Sequence, residues 1–225
     1  AALWLTANRG RWSASTINRR LASFNKFADY LDVPGLQGYR RPKASKMRHT
    51  GITFDQVLDV LDVLELGVPG LTAAETRNAY AMVTLCGTAG LRIHEAVAAD
   101  WCDFGGPCEG AVELLVHGKG DKERLVPVPQ KPLRHLDMLG TRELHTLRDV
   151  RQARYLINKA FAACGFPKVE SHQLRHAFAT AAYKASHDIV VVQQLMGHAD
   201  ITTTQRYIGT PFAAGAAIVS SMERA

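Results

Sequence analysis

Between residues 35 and 51 the chain runs through Gly35, Gly38, Pro42 and Gly51, with Arg40, Arg41, Lys43, Lys46 and Arg48 among them. A stretch this rich in Gly, Pro and cations suits an extended linker and does not belong inside a packed core. It therefore divides the chain into a short leading part, residues 1–34, a basic linker, residues 35–51, and a large part, residues 52–225. The whole chain is 47% hydrophobic, so the large part has ample material for its own core.

The linker also marks where the charge changes. Residues 1–48 carry ten Lys or Arg, at 9, 11, 19, 20, 26, 40, 41, 43, 46 and 48, against only Asp29 and Asp32. The whole chain has a formal charge of +6, so everything after residue 48 is slightly acidic. A polyanion partner for the leading part is the functional reading, with a solvated cationic helix as its plain alternative. The large part must act through local placement of charge. No run of about 18 apolar residues suggests a membrane span, and the N-terminus has no signal-peptide pattern. The four cysteines, at 86, 102, 108 and 164, form no CxxC pair, which argues against a disulfide framework or zinc site and for a reducing cytoplasm.

Residues 14–31 read as an amphipathic helix. Ile17, Leu21, Phe24, Ala28 and Leu31 fall on one stripe, Ser13 is the expected N-cap, and Arg19, Arg20 and Lys26 avoid the apolar face. Residues 2–7 look like the end of a preceding helix. Thr53–Gln56 and Thr72–Glu75 are capping boxes, opening one helix that ends before Gly67 and another that runs to about Cys86. After the Gly87 and Gly90 turn, Arg92 starts a short helix through Ala98. The period then changes: 111–117 and 124–128 read as two strands of a β-hairpin, with Pro127 and Pro129 marking the second as an edge. From about residue 142 the chain reads as three or four helices, broken near 165–167, 187–188 and 197–200. The fold expected is mainly α with a small antiparallel β-hairpin or sheet.

Four segments hold polar residues that packing explains poorly. Arg92 follows a glycine turn, and Glu95, three residues on, is placed to orient its guanidinium; alone, this would be an ordinary surface pair. Lys119 stands between two glycines at the hairpin tip, with Lys122 as a competing candidate; a solvated cationic tip is common. His172 and Arg175 share a helical face, with Leu174, Phe178 and Ala181 free to face the core and His176 either supporting the site or packing. A zinc reading needs His at i and i+4 with a further ligand, and HxxRH supplies an Arg instead, which repels a cation, so metal binding is not expected. His198 lies in a turn that Asp200 can cap. Tyr207, nine residues after His198, would by itself be a core-edge tyrosine.

Together, two Arg, two His, one Lys and one Tyr form a kit for phosphoryl transfer without metal. Arg offers permanently charged planar forks matched to phosphate oxygens. A phenolate at pH 7 costs on the order of 4 kcal/mol, which a His base and a guanidinium field can supply. No paired carboxylates stand ready for two-metal catalysis.

The text TAGLRIHEA, GKGDKERLVPV, HQLRH and GHADITTTQRY, in that order and spacing, resembles the tyrosine recombinase (phage integrase) family over roughly residues 50–210. The resemblance implies an integrase-type catalytic domain in which Arg92 and Arg175 clamp the scissile phosphate. His172 would assist proton removal, His198 would donate a further hydrogen bond, Lys119 would be the general acid and Tyr207 the nucleophile. Glu95 would support Arg92. It further implies a 3′-phosphotyrosine intermediate, no cofactor, double-stranded DNA as partner, a monomer free in solution and a homo-tetramer on DNA. DNA-bending accessory proteins, a bacterial cytoplasmic, nucleoid-associated setting and a phage or mobile-element integrase role belong to the same expectation. Residues 14–48 resemble the end of the family's core-binding domain, with Arg19, Arg20, Lys26, Arg40, Arg41, Lys43, Lys46 and Arg48 as DNA contacts. The family's first two helices are missing from that match, so the chain is expected to be a piece of a longer protein, with part of the 14–31 helix uncovered. The segment after Tyr207, with Phe212, Ile218 and Val219, would dock either on a neighbouring protomer or on its own domain. Type IB topoisomerases use a similar site, and a catalytically silent DNA-binding accessory is a third reading; the basic linker, the GHxxxxTxxxY text and the intact set of site residues favour the recombinase.

Overall fold

The structure is a computed structural model that describes residues 11–33, 51–118, 123–139, 143–166, 168–197 and 211–222, with the backbone alone for Ser15 and 211–214. It divides into two compact units, Ala1–Thr50 and Gly51–Ala225.

In the first unit, helix α1 spans Ala14–Tyr30, and the Ser13 hydroxyl accepts from the Thr16 amide. Ile17 and Leu21 are buried with Trp12 against them, and Ala28 is buried as well. Phe24 and Leu31, expected on the buried stripe, are instead about half exposed, and so is Phe27. Arg20 stacks its guanidinium 3.8 Å from the Trp12 ring centre, while Arg19 and Lys26 are exposed. Residues 2–7 and the linker cations Arg40, Arg41, Lys43, Lys46 and Arg48 lie outside the described residues.

The second unit begins with α2 (Phe54–Leu66) and α3 (Ala73–Val83), each opened by its full capping box. Local chemistry sets both starts: Thr53 and Thr72 accept from the third helical amide, and Gln56 and Glu75 return the bond to the cap amide. Helix α3 does not run on as α-helix to Cys86. It widens at Val83 into a buried π-helical turn, Thr84–Thr88, in which the Thr88 hydroxyl donates to the Thr84 carbonyl. Such turns re-aim whatever follows, and here they deliver Gly90 and Leu91 to the core and Arg92 to the start of α4 (Ile93–Ala98).

A 3-10 turn, Trp101–Asp103, leads into a three-stranded antiparallel sheet of β1 (Phe104–Cys108), β2 (Ala111–His117) and β3 (Glu123–Pro129), in that order. Among the described residues strand β3 lies at an edge, as its two prolines suggested. Strand β1 was not expected: Phe-Gly-Gly-Pro-Cys has turn composition, and its register against β2 is irregular between Phe104 and Pro107. Helix α5 (Gln130–Met138) follows at once; Pro132 falls in its first turn, where a missing amide costs nothing.

Helices α6 (Val150–Ala163), α7 (Ser171–Ser186), α8 (Ile189–Met196) and α9 (Pro211–Ser221) complete the fold. One large core joins α2 to α6 with the inner face of the sheet, and a second cluster joins Phe178, Ala182, Val192, Leu195, Met196 and Val219. Ala182 takes the fully buried place expected of Ala181, which is half-buried. Helix α9 lies beside α8: Val219 and Ala216 are buried, and Gly215 lies against Leu195 where a Cβ would come within 2.8 Å. Among the described residues no helix is long and apolar enough to cross a membrane. The four cysteines are free.

Candidate active site

Arg175 is the anchor. It stands in the second turn of α7, one residue after fully buried Leu174 and three before fully buried Phe178, so the helical period carries it into the interior. A buried guanidinium needs acceptors, and Arg175 finds two backbone carbonyls far away in sequence. Nη1 donates to Gly90 and Nη2 to Met196. Gly90 has φ of +69° and carries Phe178 so close that a Cβ would fall 2.4 Å from the ring, so only glycine allows this approach. Arg175 thus joins the turn after the π-helix to the last turn of α8. Burial, and after it the neighbouring charge of Arg92, lowers its pKa to about 10. It remains a cation at neutral pH.

Arg92 is the N-cap residue of α4. Its backbone amide donates to Glu95 Oε2 at 2.8 Å and its Nη1 to Glu95 Oε1 at 3.0 Å. Its Nη2 points to the Gly197 carbonyl at 3.4 Å. Both arginines therefore reach the C-terminal end of α8, where unpaired carbonyls favour cations. Arg92 is the open member of the pair, with 38% of its side chain exposed.

Glu95 is buried, at 4% exposure, and it holds two arginines. Besides Arg92 it takes a forked pair from Arg124, Nη1 to Oε1 at 2.9 Å and Nη2 to Oε2 at 2.8 Å. Burial alone would raise its pKa, but the bonds from Arg124 and from the Arg92 amide overcome that and bring it down to about 2. Arg124 did not stand out in the sequence. The signal was present: in β3 it shares a face with buried Val126 and Val128, and an inward-facing Arg calls for a carboxylate.

His172 and His176 lie one turn apart near the start of α7, with rings edge to face and centres 4.5 Å apart. Both are exposed. Partial burial, then the charges of His176 and Arg175, lowers the His172 pKa, favouring the neutral, proton-accepting ring at pH 7. Lys119, Lys122, His198, Asp200 and Tyr207 lie outside the described residues. Of the expected site, Arg92, Glu95, His172, Arg175 and His176 are described, and the first, second and fourth form one connected group. Among the described residues no cluster of His, Cys, Asp or Glu is arranged to hold a metal ion.

Two guanidiniums bonded to one carboxylate, with the buried Arg175 nearby on backbone carbonyls, leave a net positive charge in a partly dry setting, with its outlet at Arg92. Such a site is suited to an anion of low charge with exposed oxygens, as a phosphodiester has.

The fold and the sequence pattern place the chain in a class of DNA strand-transfer enzymes. The chain belongs to the phage integrase family, whose pattern matches residues 50–212, and is by class a tyrosine recombinase. The tyrosine recombinase XerC of Vibrio campbellii is 31% identical, over 88% of this chain and 68% of that protein. XerC of Rhizobium meliloti is 32% identical, over 89% and 68%. Among solved structures, the XerH site-specific recombinase bound to its palindromic difH substrate in a post-cleavage complex shares the fold with a TM-score of 0.68 at 20% identity, over 90% of this chain and 65% of that one.

Proposed function

We propose that this chain is a site-specific DNA recombinase that cuts and rejoins one strand at a time through a 3′-phosphotyrosine at Tyr207, without metal or ATP. The observation that carries the reading is the joined pair Arg92 and Arg175, two guanidiniums fixed to the end of one helix with a net positive charge directed outward. They hold the non-bridging oxygens of the scissile phosphate and stabilise the charge that grows on them. Tyr207 Oη attacks phosphorus and passes its proton to His172. The bond to the 5′ oxygen breaks, and Lys119 protonates that oxygen as it leaves. His198 adds a hydrogen bond to the phosphate. A 5′ hydroxyl from a partner strand then attacks the phosphotyrosine and releases Tyr207. The bond energy is conserved in the ester, so no external energy source enters.

Residues 1–34 and the basic linker 35–51 supply sequence-independent phosphate contacts through Arg19, Arg20, Lys26, Arg40, Arg41, Lys43, Lys46 and Arg48. Duplex DNA carrying recombination sites is the partner, four protomers act together on it, and the cytoplasm of a bacterial cell is the setting. Accessory DNA-bending proteins assist the assembly.

The test is covalent capture. A library of nicked duplexes, randomised on both sides of the nick, is incubated with the protein, and DNA that survives denaturation attached to it is recovered and sequenced. An enriched site, and strand exchange between two duplexes bearing it, are the expected results. Relaxation of a supercoiled plasmid with no exchange would support a topoisomerase instead. Binding of duplex without any adduct would support a silent accessory.

A further inference from the structure

We propose that Arg124 is a positioning residue for strand cleavage: by saturating Glu95 from strand β3, it keeps Arg92 available to the phosphate. The inference rests on the functional reading above.

A carboxylate offers about four acceptor positions, and in Glu95 all four are taken. Arg124 fills one on each oxygen with a forked pair, at 2.9 and 2.8 Å. The Arg92 amide fills a second on Oε2 and Arg92 Nη1 a second on Oε1. Arg92 therefore meets Glu95 through a single guanidinium nitrogen. Its other edge is turned away, toward the Gly197 carbonyl at the long distance of 3.4 Å. The two arginines share one negative charge, and the more exposed of them, Arg92, keeps the surplus.

Take Arg124 away and the balance changes. Glu95 remains buried with one bonded cation, Arg92, and a forked Arg–carboxylate pair is the strongest arrangement open to it. The Arg92 guanidinium would turn to give Glu95 both its nitrogens. The clamp would then be neutralised by the carboxylate that now merely steers it. An i,i+3 pair alone gives a surface ion pair; the third member makes it a phosphate site.

Arg124 is also built into the surroundings. Its guanidinium lies under Gly197, where a Cβ would come within 2.4 Å of Nε, and Gly197 precedes His198 in sequence. Strand β3 begins at Glu123, directly after the segment 119–122 that carries Lys119. One side chain thus links the strand leading from the hairpin tip, the Arg92 helix and the end of α8.

The test uses the parent chain, Arg124→Met and Arg124→Lys, with a nicked duplex recovered from the random library. Single-turnover adduct formation is measured at saturating DNA, on the phosphodiester and on the same duplex with a neutral methylphosphonate at the cleavage point. The expected result for Arg124→Met is duplex affinity within about threefold of the parent and adduct formation slowed about 30-fold. Arg124→Lys keeps the charge but not the fork, and is slowed about tenfold. On the methylphosphonate, which asks less of Arg92, both penalties shrink to about threefold or less. A merely structural role would slow both substrates alike. Should Arg124→Met not fold, Arg124→Lys carries the same comparison. Phosphodiester cleavage within threefold of the parent, or an equal penalty on both substrates, overturns the proposal. No adduct from the parent chain overturns the functional reading itself, a result distinct from a parent that cleaves and a variant that does so equally well.

Discussion

Replacing Glu95 by Gln should cost stability in a way that depends on pH. The carboxyl is held at about 2, against 4.5 when unperturbed. A depressed carboxylate pKa stabilises the fold by about 1.4 kcal/mol for each unit of depression, giving on the order of 3 kcal/mol at pH 7. That contribution is complete above about pH 4.5. It fades as pH falls, because protonating the folded state removes the attraction to Arg92 and Arg124, and it is gone below about pH 2. Glutamine mimics the protonated acid in size and shape. Urea denaturation of parent and Glu95→Gln at pH 7, 5 and 3 measures the difference directly. The gap should be about 3 kcal/mol at pH 7, nearly the same at pH 5, and about half as large at pH 3. A gap under 1 kcal/mol at pH 7, or one that stays constant down to pH 3, would refute the assignment of Glu95 as the shared carboxylate of two arginines.

Gly197→Ala should destabilise the fold by about 2 kcal/mol or more, since a φ of +58° strains any Cβ and Arg124 Nε lies 2.4 Å from its place; a thermal midpoint unchanged within a degree would contradict this. His172 should titrate below 6.5 in the DNA-free protein, because burial and the charges of His176 and Arg175 disfavour its cation; an NMR midpoint above 6.5 would count against a neutral base at pH 7.

What could be read from the sequence was what short-range chemistry decides. Thr53 and Thr72 with Gln56 and Glu75 fixed two helix starts, because each box closes within four residues. Arg92 and Glu95 were legible for the same reason, being one helical turn apart. Strand β1 was missed because Gly105, Gly106 and Pro107 carry no strand preference of their own, and it pairs only because β2 offers an edge. Helix α5 carries Pro132 in its first turn, where a missing amide is tolerated, so a residue that discourages a helical reading of 130–138 does not break it. The burial of Arg175 was hidden for a different reason: its acceptors are carbonyls of Gly90 and Met196, and no side-chain pattern announces a backbone acceptor. Arg124 lay between these cases. Its inward position follows from strand alternation with Val126 and Val128, but its partner, Glu95, had already been given to Arg92. Only the fold shows that one carboxylate serves two arginines.

If Tyr207 is the nucleophile, its phenolic oxygen ends in a covalent bond to DNA, and the captured adduct reveals which residue holds that bond. After capture on the recovered nicked duplex, protease and nuclease digestion should leave a peptide containing Tyr207 that carries a 3′-linked nucleotide, identified by mass spectrometry. The expected result is that mass on Tyr207 and no adduct from Tyr207→Phe. A nucleotide on any other residue, or an adduct that persists in Tyr207→Phe, would contradict it.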